Sequence, residues 1–143
     1  MKRLFILIAL VVSFNSYSQE NIVLTGKPET DADAYYNRGN AKKKLQDYRG
    51  AIADFTIAIK LNPDDVDAYN NRGIAKKNLQ DYRGAIADYN KAIELKPDYV
   101  NAYINRGNAK YELKDLDGAC LDWSKAGELG HSGAYDLIKQ YCN

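Results

Sequence analysis

Three asparagines recur at one spacing in this chain of 143 residues: Asn37, Asn71 and Asn105. An asparagine amide both donates and accepts hydrogen bonds. A row of them can hold the backbone of an extended peptide without reading its side chains. That is recognition chemistry. The residues that catalysis would need do not assemble. His131 is the only histidine. It falls in an expected turn, and no Ser/His/Asp or Cys/His set can be built around it. Cys120, His131 and Cys142 stand at even intervals of eleven, which suits no close pair of metal ligands. The glycines are isolated inside helical stretches, so there is no glycine-rich phosphate loop. The reading is of a chain that is not an enzyme, with no cofactor and no metal site.

The asparagines belong to a longer pattern that repeats every 34 residues, three times. Tyr35, Tyr69 and Tyr103 align, as do Arg38, Arg72 and Arg106, then Gly39, Gly73 and Gly107. Gly50, Gly84 and Gly118, then Ala51, Ala85 and Ala119, then Asp54, Asp88 and Asp122 follow. A fixed period of this length marks a stack of like supersecondary units, none able to bury its apolar face alone. Each unit reads as two helices. In the first, helix A runs from about Ala32 to Leu45, and the Gln46-Asp47 turn leads into helix B, from about Tyr48 to Leu61. Pro63 stops the pattern, because proline pushes its predecessor out of the helical region. Pro97 does the same in the second unit. Ala51, Ile52, Phe55, Ala58 and Ile59 form the apolar face of helix B, and Ala34, Tyr35, Ala41 and Leu45 the inner side of helix A. Glycine inside a helix costs about 1 kcal/mol relative to alanine. The Gly39 column therefore implies close helix approach, with a small residue such as Ala51 opposite. Buried charges are normally paired, so the arginine and aspartate columns imply ion pairs between stacked units, such as Asp54 with Arg72.

These columns resemble the tetratricopeptide repeat family. In the first unit the matching residues are Tyr35, Gly39, Ala51, Phe55, Ala58 and Pro63; in the second they are Tyr69, Gly73, Ala85, Tyr89, Ala92 and Pro97. The resemblance implies an all-α, right-handed α-solenoid of three helix-turn-helix repeats over 32–133 (32–65, 66–99 and 100–133). In the third unit Trp123 keeps the aromatic place, but His131 replaces the proline and Gly127 stands where Ile59 and Ile93 stood. That end drifts towards the related Sel1-like repeat. Residues 134–143 read as a lone capping helix, Ala134 to Tyr141, and the C-terminus. Solenoids need such caps for solubility.

The first two units are almost identical in helix A, and their differences concentrate at Tyr36/Asn70, Asn40/Ile74 and Lys44/Asn78. Positions spaced i, i+4, i+8 form one stripe, which Ile104, Asn108 and Glu112 continue in the third unit. A varying stripe on a constant scaffold is expected to be free of packing duty. In the family this face of helix A lines a concave groove for a partner's peptide, and asparagine at the Asn37 column often holds the peptide backbone. Lys43 and Lys77 add positive charge beside Lys44, and Tyr111 and Glu112 take over in the third unit. An acidic ligand segment fits the basic end. The chaperone-binding members clamp a terminal carboxylate with lysines, but here the first-turn positions hold Asp33, Tyr36, Asp67, Asn70 and Asn101, so that clamp is not expected. The function implied is a protein–protein interaction module binding a peptide segment. The alternative is a structural or self-assembling protein, and a homo-oligomer stays open.

The ends of the chain set the context. Lys2 and Arg3, the apolar run Leu4 to Val12, and Ser16-Tyr17-Ser18 before Gln19 have the layout of a secretory signal peptide over 1–18. The run is too short for a bilayer, which wants about 20 apolar residues, so no integral span is expected after cleavage. A retained anchor is the other reading. Cleavage removes only Lys2 and Arg3 among the charged residues and leaves the protein near neutral, which argues against nucleic acid as a partner. Residues 19–31 read as a flexible lead-in. The expected address is exported, periplasmic or secreted, and the layout resembles small exported repeat proteins of Gram-negative bacteria. Two cysteines in an oxidising compartment allow one internal pairing, Cys120 with Cys142, which would staple the cap. The alternative is a pair of small buried thiols.

Overall fold

The computed structural model describes residues 31–142. The leader read at 1–18 lies outside the described residues, as does the lead-in apart from Asp31. The described residues form seven helices and no strand: α1 (Ala32–Lys44), α2 (Tyr48–Leu61), α3 (Val66–Asn78), α4 (Tyr82–Leu95), α5 (Val100–Glu112), α6 (Leu116–Glu128) and α7 (Ala134–Tyr141). Helices α1, α3 and α5 are the A helices; α2, α4 and α6 are the B helices. Each helix packs on its neighbours in sequence, and adjacent A helices also touch. The fold is an all-α solenoid of helical pairs.

The turns inside each pair rest on two devices. Gln46, Gln80 and Lys114 adopt φ of 62°, 63° and 66°, the left-handed conformation that ends a helix. The amides that follow donate back to the last turn, as Asp47 does to the Lys42 carbonyl at 2.9 Å and Asp81 to Lys76 at 2.9 Å. The next residue then caps helix B. Asp47, Asp81 and Asp115 each accept from the amide three residues on, at Gly50, Gly84 and Gly118. This explains the second glycine column. A Cβ at Gly50 would lie 2.1 Å from Asp47 Oδ2, and the other two sites are as tight.

The first glycine column meets chiefly an aromatic ring rather than the alanine expected, which comes close only at Gly107, where a Cβ would lie 3.2 Å from the Ala119 carbonyl. A Cβ at Gly39 would stand 2.8 Å from the Phe55 ring, one at Gly73 2.6 Å from the Tyr89 ring, and one at Gly107 2.7 Å from the Trp123 ring. The glycine leaves room for the large aromatic of helix B, and so Phe55, Tyr89 and Trp123 are almost completely buried. Around them Ala51, Ala58, Ala68, Ala75, Ala85, Ala92, Ala102, Ala109, Ala119 and Ala126 are wholly buried. Burial, then the Asp88 charge, pushes the Tyr89 hydroxyl pKa upward.

The ion pairs also differ from expectation. Asp54 does not pair with Arg72. Each aspartate meets the arginine of its own repeat through two hydrogen bonds: Arg38 with Asp54, Arg72 with Asp88, and Arg106 with Asp122, at 2.6–3.0 Å. A lysine completes each set: Lys42 to Asp54 at 2.9 Å, Lys76 to Asp88 at 2.8 Å and Lys110 to Asp122 at 2.9 Å. Contact with the preceding repeat is made by neutral groups. Arg72 donates to Thr56 Oγ1 at 3.1 Å and Arg106 to Asn90 Oδ1 at 2.7 Å. Each guanidinium also lies over the tyrosine three residues before it, at 5.0–5.6 Å.

The third B helix ends unlike the other two. Gly130 takes φ 96°, and the His131 amide donates to the Ala126 carbonyl at 2.9 Å. That is the stop the A helices use, in place of the proline stop. Helix α7 follows at once. Its Tyr135 ring sits 3.3 Å from where a Gly127 Cβ would be, so a side chain there, as at Ile59 or Ile93, would have to push the Tyr135 ring aside. Cys120 on α6 and Cys142 after α7 are joined by a disulfide, with Cα atoms 5.9 Å apart.

Candidate functional site

The A helices lie side by side and turn one set of positions to a common face. The repeat pattern places Tyr36, Asn70 and Ile104 at one level of that face, with Asn40, Ile74 and Asn108 one turn further on. The stripe is not free of packing. The Tyr36 ring lies 5.9 Å from Phe55 at a tilt of 56°. Ile74 packs on the cluster around Tyr89, Ala102 and Ala109, and Ile104 on the one formed by Tyr103, Ala126 and Ala134. Asn108 accepts from Trp123 Nε1 at 3.0 Å. At Asn108 the stripe matches the helix-B aromatic beneath it, whereas Ile74 leaves the buried Tyr89 hydroxyl without a partner among the described residues. Phe55 offers no donor, whereas the Trp123 indole finds one acceptor in Asn108.

The asparagine column is partly engaged within the protein. Asn71 donates to the Tyr36 hydroxyl at 3.0 Å and accepts from Lys43 Nζ at 2.5 Å. Asn105 donates to Asn70 Oδ1 at 3.0 Å, and Asn70 is 5% exposed. These bonds join adjacent A helices side to side. Asn37, in the first repeat, is exposed. Burial, then the neighbouring Lys44 charge, lowers the Lys43 pKa from its ordinary value.

Lys77 occupies on α3 the position that Lys43 holds on α1. It is half-buried, and among the described residues no carboxylate or amide pairs with it. Lys44, Asn78 and Glu112 are exposed, and Asn40 is half-buried. The Asn78 amide folds back on the Ile74 carbonyl at 2.8 Å. The far end of the face is aromatic. Tyr111 lies 5.9 Å from Trp123 and 4.7 Å from Tyr141 of the cap, and Lys114 stands 5.9 Å over the Tyr111 ring.

Two further participants emerge, and one of them had a signal in the sequence. Tyr99 stands where the first two repeats have Asp31 and Asp65, and Asp65 caps its helix by accepting from the Ala68 amide. Helix α5 consequently has no side-chain cap. The Tyr99 hydroxyl instead donates to Asp67 at the start of α3 at 2.5 Å, and burial, then that contact, raises its pKa. Tyr141 packs against Tyr111 and Trp123; nothing local marks this, because the contact depends on where α7 docks. Among the described residues no helix is long and apolar enough to cross a membrane, and no group of three or more His, Cys, Asp or Glu is placed to hold a metal ion.

Family profiles described as tetratricopeptide repeat match residues 32–65 and 55–87, and one described as TPR repeat matches residues 78–114. Comparison with curated proteins finds no match. Among solved structures the chain is similar to the TPR domain of Arabidopsis OM64, with 29% identity over 78% of this chain and 93% of that one and a TM-score of 0.75. It is similar to the TPR2B domain of yeast Sti1, solved in a pHsp70 complex, with 30% identity over 78% and 93% and a TM-score of 0.72. It also resembles the first TPR of Spaghetti (RPAP3), solved with the HSP90 peptide SRMEEVD, with 26% identity over 81% and 93% and a TM-score of 0.75.

Proposed function

The chain belongs to the tetratricopeptide repeat family, and on that premise we propose that its A-helix face binds an extended peptide segment of a partner protein. The observation that carries this reading is Lys77. It is a cation held half-buried on the face, without a carboxylate partner among the described residues. On the same face Tyr36, Lys43, Asn70, Asn71 and Asn105 bond to one another across the A helices. A cation with no carboxylate partner, on a face that also carries Lys43 and Lys44, favours an acidic peptide segment, whose carboxylate completes the pair. The RPAP3 domain, similar in fold, holds a peptide with acidic residues. Asn37, Asn40, Lys44 and Asn78 would line the exposed part of this site, Ile74 and Ile104 would floor it, and Tyr111, Asn108 and Glu112 would close its far end. The role is that of a non-catalytic adaptor. The leader at 1–18 supports an exported, periplasmic or secreted address in a Gram-negative bacterium. A structural or self-assembling role is the second reading, favoured by the uncovered face of α1.

The test uses the processed chain as bait in an envelope extract. A photo-crosslinking residue replaces Asn78 on the A-helix face or Ala87 on α4, both of them exposed. A partner crosslinked from position 78 and not from 87 supports the groove. Lys77→Glu should then weaken that partner's binding by about tenfold, the effect of roughly 1.4 kcal/mol. Equal crosslinking at both positions, or binding indifferent to Lys77→Glu, would remove the assignment.

A further inference from the structure

The three A helices repeat one further stripe, two residues out of phase with the groove and so on the opposite side of the helix. It runs Ala34, Arg38, Ala41, Leu45 on α1 and just beyond it, at spacings of i, i+4, i+7, i+11. Its equivalents are Ala68, Arg72, Ala75, Leu79 and Ala102, Arg106, Ala109, Leu113. In the second and third repeats this stripe packs on the preceding B helix. There all four alanines are 0% exposed, and Leu79 and Leu113 are 42% and 40% exposed. In the first repeat Ala34 and Ala41 are exposed and Leu45 is 81% exposed. The Arg38 side chain is 56% exposed, against 17% and 18% for Arg72 and Arg106. The same side chains that seal the inner joints of the stack thus stand open at its first helix.

We propose that this face of α1 pairs with the same face of a second copy, in a two-fold dimer with the two α1 helices antiparallel. The stripe is self-complementary in that direction. Its spacing is that of a helix–helix seam. Running antiparallel about a centre between Arg38 and Ala41 sets Leu45 of one copy against Ala34 of the other. It sets the stem of Arg38 against Ala41, so large meets small at every level, and each guanidinium stays on the Asp54 of its own copy. The charges agree. Helix α1 is acidic in its first turn, at Asp33, and basic in its last, at Lys42, Lys43 and Lys44; Lys42 and Lys43 are engaged by Asp54 and Asn71, so the antiparallel pair is favoured by the charge gradient along the helix rather than by ion pairs in the seam. Arg38 keeps its bond to Asp54 throughout.

The other end of the stack decides how far assembly goes. Helix α6 is already covered by α7, which the Cys120–Cys142 disulfide ties down. A copy cannot continue head to tail, because among the described residues the face of α6 that would receive α1 is taken by α7. An isologous contact is left, and it closes at two copies. A single helix face of about 20 Å buries less than the roughly 1,200–2,000 Å² of a stable interface, so the dimer is weak and concentration-dependent. This inference does not rest on the peptide-groove reading.

Sedimentation velocity on the processed chain, from micromolar to near-millimolar concentration, tests it. The expected result is a shift from monomer to dimer and no further. Ala41→Glu should leave a monomer throughout, with an unchanged helical circular dichroism spectrum because position 41 is exposed. Leu121→Glu, at an equally open site on α6, should leave the dimer intact. A monomer at every concentration, growth beyond two copies, or a dimer indifferent to Ala41→Glu would overturn the proposal.

Discussion

Asp88 shows what single residues contribute here. Its carboxylate is 4% exposed and is held by two bonds from Arg72 and one contact from Lys76. A buried carboxylate is stable only with such partners. Arg72→Ala removes the two-pronged bond, the contact with Thr56 and the stacking on Tyr69, and leaves Lys76 alone. We expect a loss of about 1.5–3 kcal/mol, the usual worth of hydrogen bonds to a charged group, measured by urea denaturation. Asp54 gives a pH signature. The Arg38 hydrogen bonds, against the opposing effect of burial and with help from Lys42, hold its pKa below the ordinary carboxylate value. A group with a depressed folded pKa adds stability above its unfolded pKa and loses it as pH falls. Stability should therefore decline below about pH 4, and Asp54→Asn should flatten that decline. A parallel slope in wild type and variant would show that Asp54 takes no part in it.

At the scale of the element, the start of each B helix is a coupled pair. Asp81 caps α4 by accepting from the Gly84 amide at 2.9 Å, and that carboxylate fills the space where a Gly84 side chain would go. Alanine should favour a helix by about 1 kcal/mol over glycine, yet Gly84→Ala must displace the cap. We expect Gly84→Ala to destabilise the wild type and to become neutral or stabilising once Asp81→Ala, itself costing about 1 kcal/mol, has removed the carboxylate. A double-mutant cycle by thermal unfolding measures this coupling; additive effects would disprove it. The opposite case is the turn just before. Gln46, Gln80 and Lys114 adopt a left-handed φ that side chains other than glycine enter at a cost. The hydrogen bonds closing the turn hold them there, and no residue type at those positions announces it.

The described residues form a linear stack of helical pairs, so their stability is a sum of neighbours rather than one core. The cap and the disulfide therefore act locally. The cysteines are 22 apart in sequence, and closing a loop of that size is worth about 3 kcal/mol. Cys142→Ala should remove most of that from the C-terminal end alone. Hydrogen exchange should speed up in α7 and α6, while α1 and α2 keep their protection. A uniform acceleration would mean that the stack unfolds as one unit. Release of α7 would also detach Tyr141 from Tyr111 and Trp123, changing the aromatic end of the A-helix face.

The period of 34, the alternation of two helices, the proline stops and the family were all legible in the residues, because each is set by local propensity and by spacing along one chain. Most of the candidate face was also readable as a set of positions. What those positions do was not. Whether Asp54 meets Arg38 or Arg72 depends on which of two neighbouring helices stands within side-chain reach, and one sequence allows either. Whether Gly39 faces an alanine or the Phe55 ring depends on how two helices cross. Asn71 and Asn105 look identical in sequence, yet Asn71 meets a tyrosine hydroxyl and a lysine, and Asn105 a buried asparagine. Likewise Ala34 and Ala68 occupy equivalent positions, but only Ala68 has a helix packed against it. Periodicity tells which residues share a helix face; the docking of one helix on the next decides what that face touches.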